Sequence, residues 1–260
     1  MKRSNFLALL SFVFLTLTVG RAVAAAPEAV HRCYELRIYH AAEGKLDALH
    51  ARFRDHTTGL FTRHGMTNVG YWVPVENPGN QLIYLLSYPD ETARELSWKG
   101  FLADPEWIAV KTASETSGSL VAKIENRILA QTDFSPAMKV DPVGAPHAFE
   151  IRTYTASPGN LKNLLARFRN HTVGLFSKHG MHHFGYFTPA TGQPGADDTL
   201  IYFLAHASTE AHATSFDAFR VDPVWVQAKT ESETAAGGSL TAQNGVISEL
   251  LKATDYSPVK

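Results

Sequence analysis

The chain has 260 residues, 24 Lys and Arg against 25 Asp and Glu, a formal net charge of −1 and 45% hydrophobic residues. That near-neutral balance, with no basic run and no RNA-binding motif, gives no reason to expect nucleic acid or an anionic membrane as a partner. A single cysteine, Cys33, excludes an intramolecular disulfide. No Cys/His spacing of a zinc site is present either, so we expect no metal and no cofactor.

In chain order, Met1-Lys2-Arg3 precedes an apolar run from Phe6 to Val19 and then Ala22-Val23-Ala24-Ala25. A basic start, a compact apolar core and small residues at the exit describe an export leader over residues 1–24, cut after Ala24. The run is shorter than the ~20 residues a membrane-spanning helix needs. The expected product is periplasmic or secreted, with no lasting membrane anchor. Residues 33–39 alternate and form a strand. Gly44 to His64 repeats Leu46, Leu49, Phe53 and Leu60 at helical spacing, and Gly65 stops that helix. Thr67 to Val75 is a second strand, Asn77-Pro78-Gly79-Asn80 a turn, and Gln81 to Tyr88 a third strand. Asp90 caps a helical region running toward Glu115, broken at Asp104-Pro105. Glu125 to Thr132 closes the unit as a last strand.

The same order then repeats. RFRDHTTGLFTRHGM at 52–66 returns as RFRNHTVGLFSKHGM at 167–181, and YELRIY at 34–39 as FEIRTY at 149–154. FLADPEW at 101–107 returns as FRVDPVW at 219–225, and TDFSP at 132–136 as TDYSP at 254–258. Such self-similarity defines two copies of one unit, here residues 31–136 and 148–258. The Pro- and Gly-rich residues 137–147 read as the linker between them. Each copy is βαββαβ, the α+β ferredoxin-like arrangement, in which two helices cover one face of an antiparallel sheet. Two copies in one chain can cover their remaining faces with each other, as dimeric α/β barrels do.

The YELRxY strand, the helix ending in HGM, the aromatic strand pair and the DPxW segment before a KTxSE run resemble the NIPSNAP domain in both copies. The resemblance implies the dimeric α/β barrel fold, with cofactor-free monooxygenases, EthD-like proteins and haem-binding barrels as relatives. It implies no general catalytic activity. The better-known animal members are mitochondrial, and the export leader departs from them.

Residues for chemistry come from the repeat. On the expected inward stripe of the first helix stand His56 and, in the second copy, His171. An imidazole there is a core residue bonded to a neighbour, or a general base or ligand contact between helix and sheet. A pocket water, a ligand or a tyrosine such as Tyr84 or Tyr202 would be its partner. His64 and His179, at the helix end, suit the last carbonyls and the helix dipole. In the first strand, Tyr34, Leu36 and Ile38 are expected to face the helices. Glu35, Arg37 and Tyr39 would then point into the barrel, joined there by Glu150, Arg152 and Tyr154. That polar set either locks the halves together or binds an anionic ligand through Arg37 and Arg152. Tyr71, Trp72, Tyr84, Trp98, Phe101 and Trp107, with Tyr186, Phe187, Tyr202, Phe216, Phe219 and Trp225, supply core and the lining of an apolar pocket. Lys111 with Glu115, and Lys229 with Glu233, read as surface pairs. His182-His183 is a poor metal pair, because neighbours on a strand point oppositely.

The resulting reading is an exported protein that binds a small, partly apolar organic molecule. The alternatives are a cofactor-independent monooxygenase or isomerase acting on an aromatic compound, and a protein-interaction module. A further oligomer stays open. Export is tested by the mature N-terminus, which we expect near Ala25; intact Met1 on soluble cytoplasmic protein would refute it.

Overall fold

The computed structural model describes residues 32–136, 138 and 147–260. The expected leader lies outside the described residues, as does the linker apart from Met138 and His147. Among the described residues, no helix is long and apolar enough to cross a membrane.

The first repeat contains β1 (Cys33–Ala41), α1 (Leu46–Arg52), a π-helical turn (Phe53–Thr57), α2 (Thr58–Arg63), β2 (Thr67–Pro74), β3 (Gln81–Tyr88), α3 (Glu91–Ala103), α4 (Pro105–Ser114) and β4 (Val121–Gln131). The second copies it as β5 (Ala148–Ala156), α5 (Leu161–Arg167), a π turn (Phe168–Thr172), α6 (Val173–Lys178), β6 (His182–Pro189), β7 (Thr199–His206), α7 (Thr209–Arg220), α8 (Pro223–Ala235) and β8 (Thr241–Ala253). Local signals place these boundaries. The Asp90 side chain accepts a hydrogen bond from the Ala93 amide and caps α3. Asp104 caps α4, whose first residue is Pro105. Gly65 has φ +81°, the left-handed conformation that ends a helix at lowest cost.

The eight strands close into one antiparallel barrel in the order β1-β3-β2-β8-β5-β7-β6-β4. Each repeat contributes four adjacent strands. The seams are β2 with β8, where Trp72 lies opposite Ala253, and β4 with β6, where Leu129 lies opposite Pro189. Tyr34, Leu36, Trp72, Ile83, Phe149, Phe187 and Phe203 fill the interior. The Trp72 ring stacks 5.3 Å from Phe203 and tilts against Phe149 at 5.6 Å, so both repeats share one core. Gly70 makes this feasible. A Cβ there would stand 2.2 Å from the Trp72 ring, so only glycine lets the indole fold back over its own strand.

The interior is therefore apolar, and the expected assignment of the β1 faces is inverted. Tyr34 and Leu36 line the barrel, whereas Tyr39 packs in the core under the first repeat's helices, with Phe53 and Tyr84. Glu35 and Glu150 are fully buried as expected, but on the helix side, where Glu35 meets Arg94 and Trp98 of α3. The physical reason is burial on both faces. The inner face meets another sheet's apolar side chains, and only the helix side supplies donors for a carboxylate.

Each repeat's TDxSP segment reaches across to the other. Asp255 forms a two-bonded pair with Arg54, at 2.6 and 2.7 Å, and the Tyr256 hydroxyl bonds His50 Nδ1 at 2.8 Å. Reciprocally, Asp133 pairs with Arg169 at 2.6 and 2.8 Å, and Phe134 packs on Tyr186. Half-chains separated within 138–147 should be poorly soluble alone and recover the native circular dichroism spectrum when mixed. Two halves that each persist as stable monomers would show that closure between repeats is dispensable.

Candidate functional site

The space between helices and sheet is set by the π turn. Within it Thr58 N–H bonds Phe53 O, one residue further along than in an α-helix, and the Thr57 hydroxyl donates to Arg52 O at 3.1 Å. The extra residue carries Thr57 onto the inward face, beside Arg52, which stands three residues after Leu49 on the buried face of α1. His56 is turned out to solvent, in a shallow surface depression with Ala109 and Ala113. The second π turn does the same to His171, which is exposed. The expected placement of His56 and His171 between helix and sheet is thus corrected. The Tyr84 and Tyr202 hydroxyls, expected to meet those imidazoles, are buried without a hydrogen-bond partner.

A cavity of about 790 Å³ opens in the first repeat between α1, α3, α4 and the sheet. Arg37 and Tyr39, expected in the barrel interior, line this cavity instead, with Arg52, Arg94, Trp98, Phe101, Trp107 and Lys111. Tyr84 lies behind Tyr39, their rings 5.2 Å apart. The guanidinium of Arg37 sits 4.4 Å over the Trp98 ring, and that of Arg52 5.3 Å over Trp107. Glu115 pairs with Arg52 at 2.9 Å rather than with Lys111, and Glu233 pairs with Arg167, which corrects the expected surface pairs. Nε of Arg37 and Nε of Arg52 are buried without partners. The equivalent cavity in the second repeat is only about 200 Å³ and is lined by Tyr154, Arg167, Phe168 and Trp225. Arg152 is not in that lining; it bonds Glu150 at 2.6 Å.

At the back of the first cavity Glu35 accepts from Arg37, Tyr88, Arg94, Trp98 and Asn126, at 2.7 to 3.1 Å. Burial alone would raise its pKa, but the hydrogen bonds from Arg94 and the charges of Arg37 and Arg94 outweigh that and hold it at about 2. The second repeat keeps the carboxylate and replaces its surroundings. His206 stands where Tyr88 stood, His212 where Arg94 stood, and Phe216 where Trp98 stood. Glu150 accepts from Arg152 and Ser248; His206 Nε2 lies 3.2 Å from Oε2 and His212 Nε2 3.3 Å from Oε1. These three donor groups, all within 4.8 Å of one another, could hold a metal. No local pattern in the sequence marks them; they stand out only when the two copies are aligned residue by residue.

Other expected residues are placed as follows. His64 and His179 bond the capping aspartates Asp104 and Asp222, at 2.7 and 2.8 Å, instead of the last carbonyls of their own helices. His183 bonds Ser177 and Tyr186, while His182 packs edge-on to His147, so the two rings do diverge. Cys33 is buried and free, and burial pushes its thiol up to about 11.

A closed barrel of two ferredoxin-like halves, each with its pocket under the helices, defines the dimeric α/β barrel class, here fused into one chain. The NIPSNAP family model matches twice, over residues 34–136 and 149–258, and the chain belongs to that family. Among solved structures it is similar to a NIPSNAP family protein of Agrobacterium tumefaciens, with 28% identity over 41% of this chain and 98% of that one, TM-score 0.37. A Lactobacillus acidophilus protein provisionally described as a monooxygenase aligns over 86% of this chain and 94% of its own, at 9% identity and TM-score 0.55. An anthrone oxidase-like protein aligns over 90% and 95%, at 12% identity and TM-score 0.56. The last two likenesses are of fold. No curated protein sequence matches.

Glu35→Gln should cost about 3–5 kcal/mol at pH 7, because it strands two buried guanidinium groups. The carboxylate's folded pKa is below its ordinary value of 4.5. Its stabilisation is therefore complete above that value and is lost as pH falls toward about 2. Urea unfolding of wild type and variant should accordingly converge with acidification, and a gap independent of pH would contradict this.

Proposed function

We propose that the first repeat binds a small, flat aromatic anion, such as an aromatic carboxylate or a phenolate, and that the protein does so outside the cytoplasm. The observation that carries the reading is the cavity itself. Its volume of about 790 Å³ falls in the ~300–1,000 Å³ range of small-molecule sites. Arg37, Arg52, Arg94, Lys111 and Lys123 in its lining outnumber Glu95 and Glu115, and Phe53, Trp98, Phe101 and Trp107 supply ring faces. The unpartnered N–H groups of Arg37 and Arg52 are buried donors that a carboxylate or phenolate oxygen satisfies. The export leader supports the location.

A second reading is cofactor-independent oxidation of such an aromatic compound. Its support is the fold shared with proteins described as a monooxygenase and as anthrone oxidase-like, together with guanidinium groups able to stabilise a substrate anion.

Titration with 2-naphthoate or 1-hydroxy-2-naphthoate should quench tryptophan fluorescence from Trp98 and Trp107. Arg52→Gln should weaken binding about 10–100-fold, the cost of a hydrogen bond to a charged group. Arg167→Gln in the narrower second cavity should leave the affinity unchanged. Equal losses in both variants, or no saturable quenching in wild type, would sink the binding reading. Oxygen uptake with a bound hydroxynaphthoate or anthrone would establish the second.

A further inference from the structure

The second repeat's Glu150 cluster differs from its first-repeat counterpart in the kind of partner it can accept. Around Glu35 the partners are Arg37, Arg94 and Trp98, which have no lone pair to offer a metal, with the Tyr88 hydroxyl and the Asn126 amide; none is an imidazole. Around Glu150 two of those positions carry imidazoles. His206 is fully buried, and His212 on α7 keeps one fifth of its side chain in solvent. His212 Nε2 lies 3.3 Å from Glu150 Oε1 and yet makes no hydrogen bond; it is a buried nitrogen without a partner.

We propose that Glu150, His206 and His212 form a binding site for one divalent first-row transition-metal ion, zinc being the simplest occupant. Two imidazole nitrogens and a carboxylate oxygen are a donor set such ions take. The spacing also fits. Around an ion with ~2.0–2.1 Å bonds, tetrahedral ligand atoms stand ~3.3 Å apart; Glu150 Oε2 lies 3.2 Å from His206 Nε2, and one donor atom from each of the three residues falls within 4.8 Å of the others. The carboxylate is held from its other side. Arg152, at 2.6 Å, and Ser248 both engage Oε1 and fix the group, while Oε2 meets His206, itself one of the proposed ligands. The guanidinium repels a cation, which sets a limit on affinity. That guanidinium also lies 4.7 Å over the Phe216 ring and donates to the Tyr154 hydroxyl. His212, partly exposed, is the route of entry, and the ion would complete a site with at least one position left for water.

The first repeat supplies the control. His212→Arg and His206→Tyr rebuild the Glu35 surroundings, Arg94 and Tyr88, in the second copy, so both variants are expected to fold. The full mature chain, stripped with chelator, is titrated with Co²⁺ and followed by visible absorption, then competed with Zn²⁺. We expect one equivalent of Co²⁺ with ligand-field bands that Zn²⁺ abolishes, and a raised Tm with saturating Zn²⁺. In His212→Arg the bands should disappear and the Zn²⁺-dependent rise in Tm should vanish, with the chelated protein's circular dichroism and Tm unchanged or improved. Absence of any stoichiometric Co²⁺ spectrum in wild type would overturn the proposal. So would a spectrum that survives unchanged in both His212→Arg and His206→Tyr, which would place the ion elsewhere.

Discussion

Each repeat builds a four-stranded sheet and has helices for only one of its faces. The uncovered face carries side chains such as Tyr34, Leu36, Trp72, Ile83 and Leu85, and no arrangement of one repeat's own elements removes them from water. Meeting the second sheet solves this, and the remainder of the architecture follows. The β2–β8 and β4–β6 seams remove the sheet edges, which would otherwise expose unpaired backbone groups. The two TDxSP segments clamp each half by the helix of the other. Because the barrel interior is filled with rings, it offers no room for chemistry, and any ligand is displaced to the helix-covered exterior.

On that exterior one carboxylate per repeat organises the space. Glu35 and Glu150 occupy the same place on β1 and β5 and share the following arginine, Arg37 or Arg152. In the first repeat Arg94 adds a second cation and α3 is tied to the sheet through it. In the second, His206 and His212 replace that arrangement, and the cavity beneath is a fraction of the size. The helix that follows also differs: α8 has 13 residues where α4 has 10. A single scaffold thus holds two distinct settings, a broad cavity backed by a carboxylate among guanidinium groups and a narrow one whose repeat carries the carboxylate among imidazoles.

Much of the fold could be read from the sequence because its signals are local or repeated. The Gln81–Tyr88 strand, the Asp90 cap and the Asp104-Pro105 break need only neighbouring residues, and the two-copy barrel follows from self-similarity. The site was less legible. Alternation along residues 34–39 shows that two faces differ, yet both are buried, so nothing in the pattern says which one meets the helices. A 3.6-residue period cannot register a π turn, and His56 and His171 were assigned to the wrong side of their helices for that reason. The imidazole pair is separated from Glu150 by an entire helix–strand–strand segment, and its chemistry appears only by contrast with Tyr88 and Arg94.

Fusion of the halves into one polypeptide has a genetic consequence. In an assembly of two identical subunits, every substitution arrives at both sites together, and a change that suits one must be tolerated by its twin. Here the codon for residue 94 and the codon for residue 212 vary separately. One half can retain an older role while the other drifts toward new chemistry, and the shared barrel keeps both folded during the experiment.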